Sequence, residues 1–441
     1  MGSGLIRIFQ NYFFRNYVFV ICGGALGAIS SILIRWFLSK YLSVEDFGVF
    51  ALMLASVSLS ASIAGFGLPV FLLNAFGREG WAAVKWVRQS IFLIIALVAL
   101  LVAMALVATW FTRQPFLPSH VIFIFFPILL AQVSWELISA KLQIEGKFKR
   151  LALWQLVPNF LRLIGVQVLT LLVFEESGSW VNVGYMYGIV SLLVLFSTAV
   201  QLNSFMIGKI PLGGYELEAK GHKYQDLQSL HFLNIVKKAS PYGLGNLFYL
   251  LLTQSSVVII FFLLGAHSAG TYSAATIIIY GIYLIPNTLF QQVLMSRIQR
   301  WAYHDFDRYK ILYNFTSKLM LLIGSILMIL VLAFSESINL YLFDESYKGL
   351  TDVLVVLAFA IPFRFIASSA GAYLTTKNYM KSKLRILFLV SILHLILTLL
   401  LTWWLQLTGA AIAFVLCEIF FVVLYRQKLS SLQPLLKSRA Y

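Results

Sequence analysis

Long apolar stretches alternate with short polar segments along the whole chain. About 20 apolar residues cross the hydrocarbon core of a bilayer as an α-helix. On that measure the pattern predicts twelve spans, and the segments between them are too short for a separate soluble domain of ~100 residues. The predicted spans are 17–39, 48–70, 89–110, 121–141, 152–174, 181–203, 240–263, 270–295, 313–334, 350–373, 385–405 and 409–425. The sequence therefore predicts an all-α polytopic membrane protein.

The distribution of basic residues predicts the orientation of these spans. The chain has 441 residues, of which 60% are hydrophobic and 11% charged, and its net charge is +16. With the N-terminus inside, the inner segments hold 26 of the 33 Lys and Arg residues, and the outer segments hold Lys40, Arg113 and Lys348. Because basic residues favour the cytoplasmic side, both termini are predicted there. The positive charge is explained by topology, and no nucleic-acid partner is expected.

A turn near the start of the chain has a copy in the second half. The segment Lys40–Ala51 closes the first predicted span and opens the second, and Leu264–Ser273 repeats it 222 residues later. In this alignment Gly48 meets Gly270, and both copies lie between the first and second span of their half. A repeat at half-chain spacing is typical of transporters built from two related helical bundles.

This repeat predicts the organisation of the whole chain into two six-helix lobes. A second pair of similar segments, 140–149 and 372–381, follows the fourth span of each half at an offset of 232 residues. Matching prolines fall in the second spans, Pro69 and Pro286, and in the fourth spans, Pro127 and Pro362, where they are expected to kink the helices. The predicted parts are a cytoplasmic interfacial segment 1–16, an N-terminal lobe 17–203, a cytoplasmic connector 204–239, a C-terminal lobe 240–425 and a cytoplasmic tail 426–441.

Ionisable side chains inside the spans are the strongest candidates for function. A charge at the centre of a bilayer costs at least ~2.5–3.5 kcal/mol, so such residues face a partner or a wet cavity. The candidates are Arg35, Glu136, Arg162, Arg364 and Glu418. Some of them also have a structural interpretation. Glu136 would neutralise Arg162, and the side chain of Arg35 would reach the outer surface. Glu418 would either titrate protons, which is a functional role, or form a salt bridge with Arg364, which is a structural one.

Neutral polar residues form further stripes in the seventh and eighth predicted spans. Amides and tyrosines at helical spacing suit hydroxyl-rich ligands, but they also form ordinary interhelical hydrogen bonds. The residues are Asn246, Tyr249, Gln254, Tyr280, Tyr283, Asn287 and Gln291. His394, in the eleventh span, is interpreted as a buried polar residue rather than a proton relay. The sequence has no phosphate-binding loop, zinc-protease motif or nucleophile elbow, so neither an enzyme nor a cofactor or metal site is expected.

The turn L-S-V-E-D-F-G-V-F-A, its second-half copy, the twelve spans and the basic inner segments together resemble the polysaccharide-transporter branch (Wzx-type O-antigen flippases) of the MATE/MOP superfamily. Lys40 stands where that family often has Arg, which keeps the basic character. The resemblance implies a flippase of the bacterial inner membrane that moves an undecaprenyl-pyrophosphate-linked oligosaccharide to the periplasmic leaflet by alternating access. It also implies a polysaccharide polymerase and a chain-length regulator as protein partners.

Under this resemblance the candidate residues take separate roles. Arg364, Arg162 and Arg35 suit the pyrophosphate, the amide and tyrosine stripes suit the sugars, and Glu136 and Glu418 are candidates for ion coupling. A drug or organic-cation exporter of the same fold is the alternative, although it needs acidic cavity residues. A membrane-embedded polysaccharide polymerase is a less favoured alternative, because such enzymes usually have a large outer loop and this sequence has none. A peptidoglycan-precursor flippase is a further alternative, but that branch usually has fourteen spans and this sequence predicts twelve.

Overall fold

The computed structural model describes residues 23–112, 119–172, 179–206, 232–294, 298, 306–343, 345–375 and 380–437. The predicted interfacial segment 1–16 and most of the connector 204–239 lie outside these ranges. The described part of the first half contains seven α-helices. They are α1 (23–41), α2 (Val44–Gly65), α3 (Leu68–Glu79), α4 (Val84–Thr112), α5 (Ser119–Ile144), α6 (Phe148–Leu172) and α7 (Trp180–Met206), with a 3₁₀ turn at Gly80–Ala83.

The described part of the second half is also helical. Its helices are α8 (Phe232–Leu264), α9 (Ala266–Asn287), α10 (Phe306–Ala333), α11 (Ser335–Leu342), α12 (Leu350–Ala358), α13 (Ala360–Tyr373) and α14 (Met380–Lys437). A π-helical segment, Thr288–Leu294, continues α9. The long helix α14 breaks at Gln406, whose φ of 54° is non-helical, and it therefore contains two spans.

The helices confirm the predicted twelve spans. Eight helical stretches in the described part are long and apolar enough to cross a bilayer. Two of them, Val44–Met104 and Lys381–Ser431, have 61 and 51 residues, which is long enough for two spans each. Helices α12 and α13 form one more span with a bend of 41°, and α1 completes the set. The chain is thus an all-α polytopic membrane protein, as the apolar pattern predicts.

Breaks in the helices lie next to three of the four symmetric prolines. Helix α2 ends where Phe66 and Gly67 have positive φ values of 44° and 64°, and Pro69 begins α3. Pro286 lies at the end of α9, directly before the π-helical segment. Pro362 lies in the first turn of α13, after the bend. Proline removes a backbone donor and crowds the preceding turn, which accounts for the breaks at these three predicted kinks. The fourth proline, Pro127, lies inside the continuous helix α5.

The chain divides into two compact units. One unit consists of the residues up to Ser31 together with Ser56–Leu247, and the other consists of Ile32–Ala55 together with the residues from Phe248 onward. The C-terminal end of α1 and the first turns of α2 therefore fold with the second half of the chain. The predicted lobe limits, 17–203 and 240–425, remain a prediction.

Gly67 provides a test of the helix break in the first unit. An added Cβ at Gly67 would lie 2.2 Å from the backbone nitrogen of Gly243. Gly146 has a similar φ of 68° but no atom within 4 Å of its Cβ position. We expect Gly146→Ala to cost only the left-handed strain of about 1–2 kcal/mol, and Gly67→Ala to cost about 1–3 kcal/mol more because of overpacking. Thermal unfolding of the purified variants measures the difference, and equal losses would contradict the close contact.

Candidate functional site

The strongest cluster of polar side chains among the described residues surrounds Arg364 in the second unit. Arg364 lies on α13, and its Nη1 donates a hydrogen bond to Oε1 of Glu418 on α14 at 3.2 Å. Its Nη2 donates to the hydroxyl of Tyr249 on α8, also at 3.2 Å. The side chains of Arg364 and Glu418 are 15% and 5% exposed. Side chains from three helices thus meet at one guanidinium group, and little of its surface is exposed.

Aromatic rings complete the environment of this guanidinium. Its carbon lies 5.6 Å from the ring centroid of Tyr249 and 5.5 Å from that of Tyr283 on α9. Such cation–π contacts are worth about 0.5–2 kcal/mol, and more when the cation is desolvated. Nε of Arg364, Oε2 of Glu418 and the hydroxyl of Tyr283 are buried and have no hydrogen-bond partner among the described residues. The cluster therefore keeps donors and an acceptor free for a ligand.

A second cation lies near the first. Nζ of Lys383, at the start of α14, donates to the carbonyl oxygen of Gly371 at 3.1 Å, and Lys383 is within electrostatic range of Arg364. A Cβ at Gly371 would lie 3.2 Å from the ring of Tyr425, so the glycine lets this buried tyrosine approach α13. We call this set the Arg364 cluster, and it consists of Tyr249, Tyr283, Arg364, Lys383, Glu418 and Tyr425. Its two cations and one carboxylate give it a net positive charge.

The first unit places Arg162 differently from the prediction. The guanidinium carbon of Arg162, on α6, lies 4.8 Å from the ring centroid of Tyr187 on α7. Its Nε is buried and has no hydrogen-bond partner within the described ranges. Among the described residues no ion pair joins it to Glu136, whose Oε2 instead lies 3.9 Å from the position of a Cβ on Gly65. The interpretation that Glu136 neutralises Arg162 is therefore wrong, and Arg162 is held by an aromatic ring.

Several residues of the predicted polar stripes make ordinary interhelical bonds. The hydroxyl of Tyr280 donates to the carbonyl oxygen of Thr253 at 3.0 Å, and Nδ2 of Asn246 donates to the hydroxyl of Ser62 at 3.1 Å. These two bonds are of the interhelical kind that the structural interpretation of the stripe expects. Tyr249 and Tyr283 instead belong to the Arg364 cluster.

The remaining predicted site residues do not belong to the Arg364 cluster. Arg35, Gln254 and Asn287 are half-buried. Tyr280 lies within electrostatic range of both Arg35 and Arg364, which places the positive charge of α1 near the same region of the second unit. The side chain of Gln291 lies outside the part of the chain that the structure describes.

His394 has the structural role that the sequence predicts. Its side chain is fully buried, and Nε2 lies 3.0 Å from the hydroxyl of Ser256 on α8. Its ring packs edge-on against Phe414 at a centroid distance of 6.3 Å. A buried imidazole that bonds a hydroxyl on a neighbouring helix fastens α14 to α8.

Sequence reasoning missed Lys383 and Tyr425 as members of the cluster. Lys383 counts among the basic residues of an inner segment, so it reads as a topology signal. Tyr425 closes the last predicted span and has no partner at helical spacing. Arg364, Ser368 and Gly371 are spaced by 4 and 3 residues, so they share one face of a helix. This spacing is the one signal in the sequence for the cluster, because Tyr425 packs at Gly371 on the same face.

The sequence matches a known protein family over most of its length. Residues 13–300 match the family described as "Polysaccharide biosynthesis protein". The chain belongs to this family. Among curated protein sequences none matches it significantly.

Solved structures give the fold of this polysaccharide biosynthesis family member. It is similar to the lipid II flippase MurJ in an inward closed conformation, with 15% identity, a TM-score of 0.70, and coverage of 94% of this chain and 87% of the other. It is also similar to a multidrug resistance MATE transporter of the MOP superfamily in an inward-facing conformation, with 13% identity, a TM-score of 0.69, and coverage of 92% and 96%. A MOP superfamily transporter from Pyrococcus furiosus has a TM-score of 0.61 at 13% identity and 95% coverage of both chains.

At these identities the comparisons establish the fold. The family member is a multi-pass membrane protein with a MOP-type transporter fold, which confirms the predicted MATE-like class. The solved structures that share this fold are described as a flippase and as transporters.

Proposed function

We propose that the protein is a flippase that moves an undecaprenyl-pyrophosphate-linked oligosaccharide, such as an O-antigen repeat unit, from the cytoplasmic to the periplasmic leaflet. The observation that carries this proposal is the net positive Arg364 cluster, which holds two half-buried cations and one buried carboxylate among tyrosines. Membership of the polysaccharide biosynthesis family supports the substrate class. The transporter fold supports translocation rather than synthesis.

The chemistry of the cluster suits both parts of such a substrate. Guanidinium groups bind phosphate through short charge-assisted hydrogen bonds, often two at a time. Nε of Arg364 is free for such a bond, and Lys383 adds a second positive charge. Tyrosine rings and hydroxyls such as those of Tyr249 and Tyr283 offer flat surfaces and hydrogen bonds to sugars.

Arg162 is the second proposed contact to the pyrophosphate. It is half-buried and lies over the ring of Tyr187, and within the described ranges its Nε has no hydrogen-bond partner and no carboxylate pairs with it. A cation in this setting is costly unless it serves a ligand. Arg35 remains a third candidate.

The cellular setting belongs to the same proposal. The predicted basic inner segments favour an inner-membrane protein with both termini in the cytoplasm. Its product would pass to a polysaccharide polymerase and a chain-length regulator.

The energy source is also part of the proposal. The sequence has no ATP-binding loop, so we propose that an ion gradient drives transport through Glu136. Gradient-dependent flipping that persists in Glu136→Gln would contradict this coupling.

Native mass spectrometry of the purified protein tests the substrate class. We expect the wild type to retain an undecaprenyl-pyrophosphate-linked glycan and to bind a lipophilic cation such as tetraphenylphosphonium weakly. Arg162→Ala should weaken glycan binding at least about tenfold, or 1.4 kcal/mol. Arg150→Ala, an exposed arginine on the same helix, is the matched control and should bind like the wild type. Preference for the cation would instead support the drug exporter.

A further inference from the structure

We propose that Glu418 is a built-in counter-ion that competes with the substrate's pyrophosphate for Arg364. In the empty site Glu418 holds the guanidinium, the arriving pyrophosphate takes its place, and Glu418 rebinds Arg364 as the substrate leaves. This inference rests on the proposed function and adds to it the means by which the same site releases its ligand.

The bond between the two residues is incomplete on both sides. Only Nη1 of Arg364 reaches Glu418, and it does so through Oε1 alone at 3.2 Å. Nε of Arg364 and Oε2 of Glu418 are buried and have no hydrogen-bond partner in the part of the chain that the structure describes. A guanidinium has five N–H donors, and a carboxylate in bidentate geometry accepts hydrogen bonds from two of them. The contact in this cluster is single, so a ligand with better geometry can displace it.

The surrounding charges favour such a ligand. Lys383 lies within electrostatic range of Arg364, so the cluster stays positive even while Glu418 is paired. A pyrophosphate brings more negative charge and more acceptor oxygens than one carboxylate, and it can engage the free Nε together with Nη1. The displaced carboxylate remains within electrostatic range of Tyr283 and Tyr425.

A resident carboxylate also solves a problem of release. A buried arginine with no counter-charge is costly, and it would hold a pyrophosphate too tightly for turnover. Glu418 compensates Arg364 in the empty state and so lowers the net gain on binding. Glu418 should therefore weaken affinity while it supports turnover, which is the opposite of what a direct substrate contact would do.

The test measures binding of farnesyl diphosphate, a short lipid diphosphate, to the purified protein by isothermal titration calorimetry. Glu418→Gln should bind it at least about tenfold more tightly than the wild type, which corresponds to 1.4 kcal/mol. Glu418→Met, which is similar in length and uncharged, should show the same gain and serves if the glutamine variant does not fold. Glu336→Gln, an exposed carboxylate on α11, is the matched control and should bind like the wild type.

A double variant shows whether the effect acts through Arg364. In the Arg364→Ala background, Glu418→Gln should give no further gain in affinity. Unchanged or weaker binding by Glu418→Gln overturns the proposal, as does an equal gain in the absence of Arg364, which would reflect general electrostatics. If the wild type binds the diphosphate and Glu418→Gln binds no better, only this inference fails. If neither protein binds it, the proposed function fails as well.

Discussion

Replacing Arg364 by alanine should lower the affinity for the lipid-linked glycan at least tenfold and abolish most translocation. The change removes the guanidinium that binds the pyrophosphate in the proposed function, and a charge-assisted bond to phosphate is worth about 1.5–3 kcal/mol. It also leaves Glu418, whose side chain is 5% exposed, without its cation. Breaking a buried pair in this way costs about 3–5 kcal/mol, so thermal stability should fall too.

Two further variants separate lost binding from lost stability. Arg364→Lys keeps the charge that compensates Glu418 but lacks the planar fork, so it should recover much of the stability and only part of the affinity. Arg385→Ala removes an exposed arginine from α14 and should change neither quantity. Native mass spectrometry measures affinity, and a melting curve measures stability. An Arg364→Ala protein that binds the glycan like the wild type would show that this arginine is structural.

Replacing Gly48 by alanine should cause the second large effect, because the two repeated turns touch at their matching glycines. A Cβ at Gly48 would lie 1.9 Å from the carbonyl oxygen of Ala266 and 2.8 Å from the nitrogen of Gly270. A Cβ at Gly270 would lie 2.1 Å from the carbonyl oxygen of Val44 and 3.2 Å from the nitrogen of Gly48. Both obstacles are backbone atoms, so neither can rotate away.

We therefore expect Gly48→Ala to cost at least the upper end of the usual 1–3 kcal/mol for overpacking and to reduce translocation strongly. The melting temperature of purified protein and a flipping assay measure the two effects. Gly77→Ala is the control, because Gly77 lies in helix α3 and has no atom within 4 Å of its Cβ position. A Gly48→Ala protein that melts like Gly77→Ala would contradict the close contact of α2 with α9.

The sequence predicts the spans well because apolar length is a local property. Each of the twelve spans depends only on a run of about 20 residues, and the helices confirm them. The kinks beside Pro69, Pro286 and Pro362 are predictable for the same reason. The alignment of Gly48 with Gly270 is visible in the sequence as well, but their contact is not, since a repeat does not say that its copies pack against each other.

The site is only partly predictable because it depends on which helices are neighbours. Helical spacing shows which residues share a face, and the depth of Arg364 and Glu418 in their spans indicates that they need partners. Helical spacing does not show that α8, α13 and α14 meet. The sequence alone therefore identifies Lys383 only as one of the basic residues of a predicted inner segment. The same limit explains the wrong pairing of Arg162 with Glu136, since both are deep charges of opposite sign whose helices place them apart.

Translocation of a fluorescent undecaprenyl-pyrophosphate-linked oligosaccharide in proteoliposomes tests the central claim most directly. The lipid is placed in both leaflets, and an impermeant quencher reports how much of it moves across the membrane. The proposed function predicts that the wild type and Arg385→Ala equilibrate the lipid between the leaflets, and that Arg364→Ala does so at least tenfold more slowly. Wild-type protein that moves no lipid, or an Arg364→Ala variant that moves it at the wild-type rate, would contradict the account.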